Sequence, residues 1–81
     1  EEFLFILPQT SVENAIIIAE KIRNMVHQHI VNFEGKNIQV TVSIGIDRLT
    51  ENQKIDDAIN GADKQLYFAK NAGRNQVFPK L

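Results

Sequence analysis

The sequence predicts an α/β domain, and three observations carry that prediction. FLFIL at 3–7 is apolar at every position, as in a strand covered on both faces. Two stretches, about 11–28 and 53–72, repeat apolar residues at spacings of three and four. Between them, 38–46 alternates apolar with small or polar residues, which is the period of a strand.

Length and composition bound the possibilities. The 81 residues allow one small domain, spanning 1–81. Chains of this size bury only about 60% of the surface they expose when unfolded, so a modest core is expected. The 43% hydrophobic and 23% charged content excludes a disordered or fibrous chain. A net charge of −1 leaves no global field to draw the chain to nucleic acid or an anionic membrane. With no cysteine there is no disulfide scaffold, thiolate metal site or cysteine nucleophile, which is compatible with a reducing compartment. The longest apolar stretches, such as AIIIA at 15–19, fall far short of the roughly 20 residues that span a bilayer. No basic-then-apolar leader occurs, so neither a membrane segment nor a signal peptide is expected within these residues.

The elements follow in order. FLFIL ends at Pro8, which cannot donate to a ladder. A strand this apolar belongs at the centre of a sheet and needs neighbours beyond those the chain supplies. TSVE at 10–13 has the form of a capping box, with Thr10 as N-cap and Glu13 at N3. Ala15, Ala19, Ile22 and Val26, with Val12 and Ile16 alongside, then mark the apolar side of the first helix. Glu13, Glu20, Lys21 and Arg23 supply its polar side.

Residues 31–46 predict a hairpin turning at Gly35. Its second strand carries Ile38, Val40, Val42, Ile44 and Ile46 on one face and Gln39, Thr41, Ser43 and Gly45 on the other. Gly45 weakens that strand unless something must approach its backbone closely. Ile55, Ala58, Ile59, Ala62, Leu66 and Ala69 mark the second helix, and Gly73 stands where a left-handed C′ residue is expected. Gly61, inside the helix, points to a close packing contact. NQVFP at 75–79 supplies a last short strand, and the aromatics Tyr67, Phe68 and Phe78 are expected to be core or half-buried.

Candidate chemistry is sparse when read from spacing alone. Glu1 and Glu2 fit two solvated charges, because neighbouring residues of a regular strand point to opposite faces. Lys70 and Arg74, at i and i+4 across the end of the second helix, suit its dipole. The same pair could also grip a phosphate, arginine as a fork and lysine as a point charge. His27 and His29, two apart, diverge by about 200° and cannot share a metal on a regular helix, so capping or solvent exposure is expected. Ser43 has no base nearby in sequence, and the glycines form neither a dinucleotide fingerprint nor a P-loop.

Three segments together resemble the GGDEF family of diguanylate cyclases. EEFLFILP is similar to the motif strand in a G-G-E-E-F variant without its two glycines. VTVSIGI at 40–46 is similar to the family's T-x-S-x-G strand. ADKQLYFAKNAGRNQV at 62–77 matches its A-D-x-x-L-Y-x-A-K-x-x-G-R-N segment at every fixed position.

The resemblance spans the whole chain but corresponds to the C-terminal half of such a domain. It implies a central, mainly antiparallel sheet flanked by helices, related to polymerase palms and nucleotidyl cyclases. It implies condensation of two GTP molecules into cyclic di-GMP, a bacterial second messenger, with release of two pyrophosphates. Each half of a homodimer would hold one GTP. Glu1 would bind Mg2+ or Mn2+ and help activate the 3′-hydroxyl, with Glu2 the second catalytic acid and Phe3 packed inside. Lys70 and Arg74 would bind phosphate, and Asp63 would make a structural hydrogen bond. The family's other metal aspartate, its guanine-recognising helices and its inhibitory product site would all lie upstream, so these residues alone are expected to be inactive. An upstream sensory or receiver domain and a cytoplasmic, bacterial location are implied. A degenerate regulatory module that binds GTP or cyclic di-GMP, or mediates dimerisation, is the alternative.

Overall fold

The fold comes from a computed structural model that describes Leu7 and residues 9–80. In order it comprises α1 (Val12–Gln28), β1 (Ile30–Phe33), β2 (Lys36–Gln39), β3 (Ile44–Gly45), α2 (Ile55–Asn71) and β4 (Val77–Phe78). The mixed α/β class read from the sequence is the one observed. The predicted strand FLFIL lies outside the described residues except for Leu7, which is exposed.

α1 begins one residue later than the capping box predicts. Ser11 is the N-cap and its Oγ accepts the Asn14 N–H at 3.1 Å. Asn14 therefore takes the N3 place expected for Glu13. Serine is the better cap of the two adjacent hydroxyls, and Glu13 still favours the helix dipole from the first turn. At the other end the exposed His29 is the C-cap, through its backbone N–H to the Val26 carbonyl, whereas His27 is half-buried and no side-chain capping bond is seen for it among the described residues.

The predicted hairpin forms, but its second strand divides. β1 and β2 are antiparallel around Glu34 and Gly35, both at positive φ (52° and 79°), as a two-residue hairpin turn requires. Ile30 pairs with Gln39, and Ile30 follows directly on the C-cap of α1. The partner strand can extend no further back, so the ladder stops at Gln39. Residues 40–43 leave it, and Ile44–Gly45 pairs instead with β4.

The β3–β4 pair is parallel and shorter than the antiparallel β1–β2 ladder. Ile44 N–H donates to the Gln76 carbonyl and Ile46 N–H to the Phe78 carbonyl, each at 2.9 Å. Parallel neighbours need a long crossover, and α2 supplies it. Alternation then assigns the two faces of this small sheet. Ile44, Ile46 and Val77 pack with Val12, Ile16 and Ala19 of α1. Gly45, one residue out of phase, lies against α2.

Both close approaches foreseen at the glycines exist. A Cβ on Gly45 would overlap the Ala62 carbonyl oxygen and the Leu66 nitrogen and stand 2.8 Å from Leu66 Cα, all of them helix backbone. A Cβ on Gly61 would overlap Asp47 Oδ2 and stand 2.6 Å from Asp47 Cγ, an exposed side chain that can rotate away.

Among the described residues the buried core comprises Ile16, Ala19, Ala69 and Val77. The hairpin's strands are exposed throughout. Tyr67 (63% exposed) and Phe68 (41%) are not core, contrary to expectation, because they lie on the flank of α2 turned from β3; Phe78 is half-buried. Among the described residues no helix is long and apolar enough to cross a membrane.

Gly45→Ala is expected to destabilise the folded protein by about 1–3 kcal/mol or more, because helix backbone cannot yield. Gly61→Ala should stay within about 1 kcal/mol, as improved helix propensity offsets the displaced Asp47 carboxylate. Urea unfolding midpoints of the two variants check the contrast.

Candidate functional site

The last turn of α2 carries Lys70, and the chain beyond it reverses sharply. Gly73, at φ 114°, is the predicted C′ residue. The Gly73 N–H donates to the Lys70 carbonyl at 3.4 Å and the Arg74 N–H to the Ala69 carbonyl at 3.0 Å. This is the double closure of a Schellman motif, which satisfies the carbonyls left open at a helix end.

The turn does not relax after the glycine. Arg74 and Asn75 also adopt left-handed backbone, at φ 63° and 51°. That conformation costs a non-glycine residue roughly 1–2 kcal/mol, less for asparagine, so something must hold it. Two hydrogen bonds from distant segments do so. The Asn75 N–H donates to Ser43 Oγ at 3.1 Å, just ahead of β3. Arg23 Nη1, on α1, donates to Asn75 Oδ1 at 2.9 Å.

Arg23 is itself fixed. Its Nε and Nη2 both donate to Glu20 Oε2, at 3.2 and 3.1 Å, leaving Nη1 aimed at Asn75. The Arg23 side chain is 19% exposed and that of Glu20 41%, so the ion pair contributes about 0–1 kcal/mol and acts mainly by orientation. The bond from the guanidinium to the half-buried Asn75 is stronger, about 1.5–3 kcal/mol for a charged donor.

Sequence reasoning placed Arg23 on the polar face of α1, and the structure corrects this. Arg23 shares a stripe with Ile16, Ala19 and Val26, the half-buried or buried side of the helix, while Ile22 is 42% exposed. The detectable signal was an arginine at spacing three and four within an apolar stripe. Ser43, dismissed as a nucleophile, and Asn75, read only as part of a strand, are the other two members missed.

Lys70 and Arg74 are both exposed, and among the described residues neither forms an ion pair or a side-chain hydrogen bond. The turn therefore presents two uncommitted cations of different shape at one end of α2, able to grip a multiply charged anion by fork and point. Lys70 shares a helix face with Asp63, Leu66 and Tyr67, which together line a shallow depression of about 300 Å³. Asp63 is exposed and makes no hydrogen bond among the described residues, so the structural bond expected of it is not seen there. Glu1 and Glu2 lie outside the described residues. Among the described residues no group of three or more His, Asp or Glu could hold a metal ion.

Comparison with known proteins covers nearly the whole chain. The family model described as "Diguanylate cyclase, GGDEF domain" matches residues 1–76. Diguanylate cyclase A of Treponema denticola is 38% identical over 78 residues, which is 95% of this chain and 21% of that protein. Diguanylate cyclase DgcM of Escherichia coli K12 is 42% identical over 77 residues, again 95% of this chain and 18% of the relative. Diguanylate cyclase DgcP of Pseudomonas aeruginosa is 34% identical over 77 residues, 95% of this chain and 12% of that protein. The chain thus spans about a fifth or less of the length of these relatives.

Replacing Gly73 by alanine is expected to cost about 1–2 kcal/mol, because the C′ backbone lies in the left-handed region. Chemical denaturation of the variant beside the parent protein measures that loss.

Proposed function

The chain belongs to the GGDEF family, and from that premise we propose that it forms the C-terminal half of a diguanylate cyclase domain. The observation that carries the reading is the uncommitted cation pair Lys70 and Arg74, held on a rigid helix-end turn and exposed to solvent. In this reading they bind the triphosphate of GTP.

The reaction is phosphoryl transfer. The 3′-oxygen of one GTP forms a bond to the α-phosphorus of the other, the α–β bridge breaks, and pyrophosphate leaves while the 3′-hydroxyl gives up its proton. A second, reciprocal transfer closes the ring of cyclic di-GMP. Negative charge grows on the transferring group and the departing pyrophosphate. Lys70 contributes a compact charge and Arg74 a planar, bidentate one, and each acts most strongly where charge develops. Glu1 and Glu2 supply the acidic end of the site. A divalent ion held by Glu1, Mg2+ or Mn2+, would withdraw charge from phosphate oxygens and favour ionisation of the 3′-hydroxyl.

Several partners follow from the chemistry. Two triphosphates must meet head to tail, so two domains pair as a homodimer, each presenting one GTP. Control then belongs to a sensory or receiver domain upstream. GTP is an intracellular substrate, which puts the domain in the bacterial cytoplasm, whether or not the whole protein is membrane-anchored.

In a complete GGDEF domain that includes this chain, GTP and Mg2+ are expected to yield cyclic di-GMP and pyrophosphate, and chelation to stop the reaction. Lys70→Ala and Arg74→Ala should each lower kcat by about 10²-fold or more, the scale of losing a preorganised charge contact. Glu1→Gln should abolish turnover. Nucleotide binding without turnover in the intact dimer, unaffected by Glu1→Gln, would point instead to a regulatory module.

A further inference from the structure

We propose that Arg23 and Asn75 are positioning residues for Arg74, setting the backbone from which its guanidinium reaches phosphate. The proposal rests on the reading of Arg74 as a phosphate-binding residue.

Arg74 stands between two fixed points. Ahead of it, the Schellman closure ties its own N–H to Ala69. Behind it, Asn75 is tied by its backbone N–H to Ser43 and by its side-chain oxygen to Arg23. Both Arg74 and Asn75 hold left-handed backbone, which an exposed turn does not keep unaided. Release Asn75 and the direction of Arg74 is no longer determined, even though its side chain remains.

The arrangement is directional. Glu20 accepts from two nitrogens of the Arg23 guanidinium, and the third points at Asn75. A lysine at 23 could satisfy Glu20 or Asn75 but lacks the fork to hold both in this geometry. Asparagine at 75 meets two demands at once: it tolerates the left-handed backbone and offers a carbonyl oxygen to Arg23.

Asn75→Gly separates these demands, since glycine adopts the same backbone freely but has no side chain to clamp. In a complete GGDEF domain that includes this chain, Asn75→Gly and Arg23→Lys should each lower kcat by about 10-fold or more, since small misplacements of a catalytic contact cost up to about 10²-fold. The KM for GTP should stay within about twofold, and the thermal midpoint should fall by only a few degrees. Asn75→Asp, which keeps an acceptor for Arg23, should recover most of the rate. The deciding arm uses Arg74→Ala as background: there Asn75→Gly should change kcat by less than about twofold, because groups acting through one another are not additive. Equal losses in both backgrounds, or an unchanged kcat for Asn75→Gly alone, overturn the proposal. A silent Arg74→Ala removes the phosphate reading itself, a separate result.

Discussion

One asparagine ties three distant parts of the chain together. Asn75 bonds to Arg23 on α1 through its side chain and to Ser43 ahead of β3 through its backbone, and it leads directly into β4. The partners are 52 and 32 residues away in sequence. Closing loops of that length costs conformational entropy, which the packing of the sheet and both helices offsets. Its strength is borrowed from the packing around it, and its precision is returned to the turn that carries Arg74.

That packing depends on a close backbone contact. Among the described residues β3 and β4 form a layer with α1 on one face and α2 on the other. The α2 face works because Gly45 presents no side chain to Ala62 and Leu66. With the helix lying so near, the turn at 73–75 leads from its C-terminal end directly into β4. The tight helix–strand contact and the exposed cations are two ends of one arrangement. Among the described residues Ala69, four residues before the turn, is fully buried on the same helix that Gly45 meets, so errors at Gly45 should reach the site.

Much of this was legible in the sequence, and for stated reasons. Both helices followed from apolar spacing, the hairpin turn from Gly35, and the helix stop from Gly73, because each is decided by local chemistry. Gly45 and Gly61 announced close approaches, since glycine within an element is tolerated where there is no room for more. Lys70 and Arg74 were visible as a pair of cations at a helix end. The cap was misplaced by one residue because Thr10 and Ser11 are adjacent hydroxyls and only the backbone selects between them. The division of the strand after Gln39 depended on where β1 starts, which the alternating pattern does not encode. Arg23 was read as surface because its charge was weighed above its place in the stripe. The bonds at Asn75 could not be read at all, being tertiary contacts between polar residues with no periodic signature.

In the proposed reading Lys70 at the end of α2 and Arg74 in the turn at 73–75 reach one triphosphate. A crystal structure of the complete domain with a non-hydrolysable GTP analogue tests it most directly. Lys70 Nζ and the Arg74 guanidinium are expected at about 2.7–2.9 Å from phosphate oxygens, with Arg74 and Asn75 still left-handed and the Arg23–Asn75 bond intact. A triphosphate bound elsewhere, with both cations left in solvent, would contradict it.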